Sequence, residues 1–306
     1  MEKIDLVIPM VFTNDQKWLD EYTRRGIGKG NAARHVRFRS WGTEEMLVKC
    51  CMKYMPWLNA IHILLASESQ EQQWMRPLDR YNGSTELRIA FHRDFIPAHL
   101  LPCFNVNTIE MFLHRIPRLS EYFIYSNDDL FPLSPLKAED FFRPADDGTL
   151  WPCQHHFEQK YPESPKIYHL FVKNGLDMIA ADFGRQFVRT WIVGGHSMAP
   201  MRRSVIEKVW ELHADRINQS FTEGRKPENF NQYIFPFYQH FSGQYFDHHP
   251  PRRYVGPGVL TEQIAGILRD ENAGIICLND GKDVRDWERR AEIARREISA
   301  KLDAAT

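Results

Sequence analysis

Two adjacent carboxylates, Asp128 and Asp129, close the run Tyr122-Phe-Ile-Tyr-Ser-Asn-Asp-Asp129. An apolar stretch that ends in acids delivers them to the mouth of a sheet, where they can hold a divalent ion shared with a diphosphate. Asn127 to Asp129 is also ordinary turn chemistry, so the motif alone leaves both readings open. Upstream, Asn105 and Asn107 fall near a helix start, and His114 and Arg115 near its end. One asparagine there is an ordinary cap. The two together, beside amides that favour anions, also suit a nucleotide phosphate or a sugar hydroxyl. His114 and Arg115 suit a last turn, where cations complement the helix dipole. Arg34, His35, Arg37 and Arg39 make a local basic patch, which is either a solvated loop or an anion clamp. His196 follows Gly194-Gly195 and precedes a helix, the setting of a general base or phosphate donor, although a lone loop histidine is as readily structural. Arg225 carries the same two readings. His155-His156 and Asp247-His248-His249 supply enough ligands for a metal, but no His-Glu-x-x-His spacing is present.

These groups need a scaffold, and the hydrophobic pattern supplies one. Segments 4–10, 60–66, 87–91 and 122–126 read as strands, and 44–55 and 107–114 as helices. The alternation predicts an α/β fold with a parallel, doubly wound sheet whose ligands bind beyond the carboxyl ends of the strands. Both acids are expected to face solvent there. From about 141 to 257 proline, aromatic residues and histidine accumulate and the rhythm fades, which predicts a mostly helical insertion or lid with a helix over 204–217. The expected organisation is an α/β core over 1–140, which the resemblance described below implies to be nucleotide-sugar-binding, an insertion over 141–257 carrying further site residues, and a segment over 258–306 with a last core strand near 273–278 and a terminal helix over 283–302.

A chain of 306 residues with 43% hydrophobic content can bury a sizeable core. Lys+Arg 39 against Asp+Glu 40 gives a formal charge of -1, so no global field recruits nucleic acid or an anionic membrane. The opening apolar run is too short for a signal peptide or a membrane span, and no later run reaches spanning length. Five cysteines without paired spacing argue against a disulfide framework or structural zinc and for a reducing cytosol.

The whole run from Leu101 to Phe131, with its order of asparagines, Glu110, His114-Arg115 and Asn127-Asp-Asp129, resembles the second conserved region of the Stealth family. That family comprises bacterial capsular polysaccharide phosphotransferases and the animal N-acetylglucosamine-1-phosphotransferase. Ile4 to Val7 with Asn14-Asp15 and Trp18 resembles the first region, and Arg37-Phe-Arg39 with Pro56-Trp57 opens the second. His196 to Pro200, Arg225 and the aromatic run Tyr233 to Tyr238 resemble the third, and Cys277-Leu-Asn-Asp280 the fourth. Three elements depart from the family. Met10 to Thr13 stands where a Trp-Val-Asp/Asn-Gly element is usual, Arg39-Ser-Trp41 stands where Arg-Asp-Asn is usual, and the later Glu-Leu-Arg has no counterpart near Thr43 to Glu45.

The resemblance implies a Rossmann-like, nucleotide-sugar-transferase-type sheet. It implies transfer of a hexose- or N-acetylhexosamine-1-phosphate from a nucleotide diphosphate sugar, with UDP-sugar favoured, to a hydroxyl of an oligosaccharide or polysaccharide acceptor. Mg2+ or Mn2+ on Asp128 and Asp129 would assist, with His196 as base and Arg225 as phosphate clamp. Asp15, Arg37, Arg39, Asn105, Asn107, Glu110, His114, Arg115, Asn127, Asn279 and Asp280 are then candidate substrate-binding residues. The implied setting is cytoplasmic capsule synthesis, with peripheral association with a membrane-bound assembly complex at the inner membrane as an extension. An ordinary sugar transferase, which attacks the anomeric carbon, and a non-catalytic binding member are the rival readings.

Overall fold

The computed structural model describes residues 2–27, 39–76, 85–280, 284 and 286–304. Arg34, His35 and Arg37 lie outside the described residues. The first strand, β1 (Ile4–Pro9), is buried almost throughout, and β2 (Ala60–Leu65) is buried at every position. Continuous burial of this kind marks a sheet covered on both faces. β3 (Glu86–Phe91) and β4 (Tyr122–Tyr125) complete a parallel array in the order β4-β1-β2-β3. Its carboxyl ends therefore share one edge. One side of the sheet packs on the helices Glu44–Tyr54 and Trp287–Asp303, and the other on Phe112, Phe171, Ile179 and Phe235. Between them lies a buried polar knot. The Asp5 carboxylate accepts from the Asn59 amide at 2.7 Å and the Ser120 amide at 2.8 Å, and sits 3.1 Å from His62 Nε2. Burial raises the Asp5 pKa, but these partners, led by His62, outweigh it and hold the acid below its ordinary value.

After β4 the chain makes the Asn127–Asp129 turn and enters β5 (Leu130–Pro132), which lies in a second sheet. The following segment contains β6 (Phe142–Pro144), β7 (Leu150–Gln154), β8 (Phe157–Lys160), a helix over Ile167–Asp182, β9 (Thr190–Val193), β10 (Ala199–Arg202), helices over Arg203–Gln219 and Ile234–Phe241, and β11 (Phe246–Asp247). Three helices form its bulk, but short strands link them, and β10 joins the main sheet antiparallel to β4. The segment is thus bonded into the core. These strands run for two to five residues without sustained polar–apolar alternation, too short to show a strand period.

One expectation about the sheet is corrected. The strand near 273–278, β13 (Ile275–Leu278), pairs parallel with β12 (Arg252–Val255) and antiparallel with β5, in the second sheet and not in the five-stranded one. Both sheets contribute to the larger of the two core clusters, so a fully buried apolar run there did not reveal which sheet it served. No helix among the described residues is long and apolar enough to cross a membrane.

Candidate active site

A cleft of about 720 Å³ opens at the carboxyl edge of the parallel sheet. Residues Pro9 to Val11 after β1, Ala66 after β2 and Asn127 to Asp129 after β4 form its floor. Leu278, Asn279 and Asp280 enter beside them because the Leu278 amide donates to the Asp129 carbonyl at 2.8 Å, tying the end of β13 to the acidic turn. From the inserted segment come His196, Arg225, Asn231, Gln232 and Tyr233. The Asn127–Asp129 turn, His196 and Arg225, far apart in sequence, therefore line one crevice.

Asp128 is exposed to the cleft but ringed by protein on its other sides. Desolvation, then the charges of Asp129 and Glu44, push its pKa up to about 7, a direction that follows from three crowded acids even though the carboxylate opens onto water. Asp129 was expected to face solvent and is more enclosed. Its Oδ1 is buried with no partner among the described residues, while Oδ2 receives Cys277 Sγ at 3.5 Å. Burial raises its pKa; the nearby His196 charge and hydrogen bonds from Cys277 and Asn279 act in the opposite sense. A buried, unpaired carboxylate oxygen beside a second raised acid is the environment a cation relieves. Among the described residues no group of three or more His, Cys, Asp or Glu side chains is arranged around a metal. The two carboxylates, one with a buried oxygen that has no partner among the described residues, have the donor chemistry of a divalent-cation site that leaves other positions to phosphate oxygens and water.

His196 is exposed and its ring stacks on Tyr254 at 5.5 Å and 21°. Gly195, at φ +70, lets the Arg252 guanidinium lie against the backbone, and Arg252 Nη1 donates to the Gly194 carbonyl at 3.2 Å. Strand β12 thus braces the loop that carries His196.

The remaining candidates divide sharply. Arg39 makes a two-pronged salt bridge to Asp280, Nε to Oδ2 at 2.8 Å and Nη2 to Oδ1 at 2.5 Å, and lies over Trp287. It lines the cleft with its charge offset, anchoring the 279–280 corner. Asn107, Glu110, Asn127 and Asn279 also line the cleft.

Four of the candidates do not line it. Asp15 caps the helix Gln16–Arg24, and its other oxygen accepts from Ser69 and Gln70. Asn105 caps Val106–Met111 and donates to Thr222 O, Gly224 O and Asn229 Oδ1 behind the cleft wall. His114 and Arg115 pack on Trp210 instead. Burial and neighbouring arginines push His114 down to about 4, which leaves it neutral. Asp15 and Asn105 meet the needs of helix starts, and His114 and Arg115 pack on an aromatic face, placements that residue type alone does not reveal. Among the cleft residues the sequence reading missed are Glu44, His92, Tyr168, Asn231, Gln232 and Tyr233. Only Tyr233 had a signal, the aromatic run.

Fold and cleft define an α/β protein that gathers acids, a histidine and arginines at the carboxyl edge of a parallel sheet. Residues 37–149 match Stealth protein CR2, conserved region 2. The chain is 27% identical to the receptor polysaccharide phosphotransferase WefC of Streptococcus gordonii over 94% of its own length and 93% of that protein. It is 28% identical to the capsular polysaccharide phosphotransferase fcs1 of Haemophilus influenzae over 79% of this chain and 66% of that one. It is also 31% identical to a capsular polysaccharide phosphotransferase of Neisseria meningitidis serogroup B, over 74% of this chain and 60% of that one. Among solved structures, the galactosyltransferase LgtC with donor and acceptor sugar analogues is similar at a TM-score of 0.43 and 10% identity, over 95% of each chain. The chain thus carries the second conserved region of the Stealth family and is similar over most of its length to polysaccharide phosphotransferases.

Proposed function

We propose that the protein transfers a sugar-1-phosphate from a nucleotide diphosphate sugar to a hydroxyl of a saccharide acceptor, in the synthesis of a capsular or other cell-surface polysaccharide. The observation that carries this reading is the convergence of Asp128 and Asp129 with His196 and Arg225 on one cleft. The acceptor oxygen bonds to the phosphorus that bears the sugar, the bond from that phosphorus to the bridging oxygen breaks, and nucleoside monophosphate leaves. The anomeric bond is untouched, so configuration is retained.

Each group has a defined task. One imidazole nitrogen of His196 takes the acceptor proton, and stacking on Tyr254 limits the ring's orientations. Arg225 lies close enough to Glu110 and Tyr125 to bear on their charge, and presents a cation to the phosphoryl oxygens. Asp128 and Asp129 would hold Mg2+ or Mn2+, which when bound supplies positive charge to the diphosphate. Asn105 acts behind the cleft wall and Glu110 within it. The Glu110 carboxylate accepts from Tyr125 Oη at 2.9 Å and from the Gln232 amide at 2.9 Å, so it bolts the inserted segment to the core. The core over 1–140, the insertion over 141–257 and the tail over 258–306 then act as one catalytic unit.

Donor base, cytoplasmic location and contact with a membrane-bound assembly complex follow from the same reading. The test is incubation with a panel of nucleotide sugars and Mg2+ or Mn2+, with mass spectrometry of the nucleotide released. Monophosphate is expected. Diphosphate identifies an ordinary sugar transferase, and no turnover with any donor identifies a binding protein.

A further inference from the structure

Two buried amide atoms on the cleft wall have no partner among the described residues. Asn107 is 3% exposed, and its Nδ2 is unbonded; Gln232 is 9% exposed, and its Oε1 is unbonded. Buried polar side-chain atoms are nearly always satisfied, so two orphans lining one cleft need a reason. They are also neighbours. Asn107 and Glu110 lie three residues apart on one helix face, and Glu110 Oε2 accepts from the backbone amide of Gln232 at 2.9 Å. One orphan is a donor and the other an acceptor. A hydroxyl needs both, since it donates one hydrogen bond and accepts others. Tyr168 and Tyr233, edge to face at 6.4 Å, line the same part of the cleft and offer apolar ring surface of the kind that packs against the C–H face of a pyranose.

We propose that Asn107 Nδ2 and Gln232 Oε1, set against the Tyr168–Tyr233 pair, form a recognition site for the hydroxyls of a sugar ring. This rests on the transferase reading above. The ring belongs either to the donor or to the acceptor, and the chemistry that recognises it is the same. Glu110 is the positioning residue, because its hydrogen bond to the Gln232 backbone fixes the distance between the two amides.

The test compares wild type with Asn107→Leu and Gln232→Met, with Asn107→Ser as a milder form should Leu impair folding. Each replaces an unbonded polar group by one of similar size, so the melting temperature should hold or rise, which a structural hydrogen bond would not permit. Calorimetry is run with the best donor from the nucleotide-sugar panel and with the matching nucleoside diphosphate. If the ring is the donor's, each variant weakens nucleotide-sugar binding about tenfold and leaves nucleoside diphosphate binding unchanged. If it is the acceptor's, donor binding holds and the acceptor KM rises by about the same factor. Equal weakening for nucleoside diphosphate would mean that the amides read the base, and overturns the proposal. So would variants that match wild type in every measurement. A wild-type protein that turns over no nucleotide sugar removes the transferase reading itself, and this site with it.

Discussion

The seam between the 106–111 helix and the inserted segment, and the mouth at the end of β4, are built from the same residue types, asparagine, acid and arginine. They differ in where the hydrogen bonds go. At the seam Asn105 satisfies a helix start and three groups of the insertion, and both oxygens of Glu110 are occupied. At the mouth Asp129 Oδ1 is buried with no partner among the described residues, and Asp128 is crowded by like charge. Asn105 and Asn107 are two positions apart, yet one is saturated and the other has an amide nitrogen with no partner among the described residues. Bonding within the fold marks a residue that holds the site together, and an enclosed, unmet atom on the cleft wall is one that a ligand can satisfy.

The strongest way to break that contrast is at the mouth. Asp128→Asn or Asp129→Asn should lower turnover by at least about a hundredfold, the scale for losing an electrostatic stabiliser of the transition state. Thermal stability should hold or rise, because removing a charge from a pair of acids with raised pKa relieves their repulsion. Melting curves and initial rates on the same preparations check both. Full activity in both variants would return Asn127 to Asp129 to a plain turn. The seam predicts the reverse pattern. Asn105→Ala leaves Thr222 O, Gly224 O and Asn229 Oδ1 without this donor and removes a cap, and should cost about 2–3 kcal/mol in urea unfolding. Activity should then fall only as far as Arg225 is displaced, so an unfolding midpoint equal to wild type would sink the division.

His92 sharpens the comparison because it lines the cleft but belongs with the saturated set. It is 6% exposed, and its ring is hydrogen-bonded to the backbone at Cys103. Desolvation pushes its pKa down from 6.5 to about 4. The unfolded chain therefore takes the proton first. The contribution of the neutral ring is full above pH 6.5 and is lost as pH falls toward about 4, amounting to about 2 kcal/mol at pH 5. Chemical unfolding at pH 7.5 and pH 5 should show a smaller difference for His92→Gln than for wild type. His114 and His156 are pushed down as well and leave part of the acid limb in place. Identical pH dependence in the variant would show that His92 already exchanges its proton with the cleft.

The sequence carried the parallel core because four apolar runs separated by helix-length segments admit few arrangements, and it carried the acidic mouth because strand ends are positions where ligands bind. It did not carry the second sheet. A buried run such as Ile275–Leu278 has the same appearance in either sheet, and only pairing with Arg252–Val255 decides it. The strand-end position of Asp128 and Asp129 was legible, and both line the cleft, although the run itself read equally well as a turn. It was illegible at Asp15, Asn105, His114 and Arg115, where cap and ligand call for the same side chain. Gln232 gave no sign, since its place depends on a contact with Glu110 across 122 positions of the chain.

The smallest expected effect tests whether a residue off the main cleft belongs to the site. Arg252 does not line that cleft, and no carboxylate among the described residues pairs with it; its contact is the Gly194 carbonyl at 3.2 Å. A Cβ on Gly195 would come within 2.9 Å of its Nη2, so the guanidinium lies flat on the loop that ends in His196. Two residues along the same face of β12, Tyr254 stacks on the His196 ring. If the strand splints the loop, Arg252→Ala should lower kcat about tenfold with little change in donor KM, because a misplaced base harms the proton transfer more than ground-state binding. Arg252→Lys should not restore it, since an ammonium lacks the flat face that rests on Gly195. Gly195→Ala should give a similar loss by a different route, through a φ of +70 that alanine tolerates poorly and through contact with the guanidinium. A rise in KM without loss of kcat would place Arg252 in binding, and equal kinetics in all three variants would leave His196 held by the insertion alone.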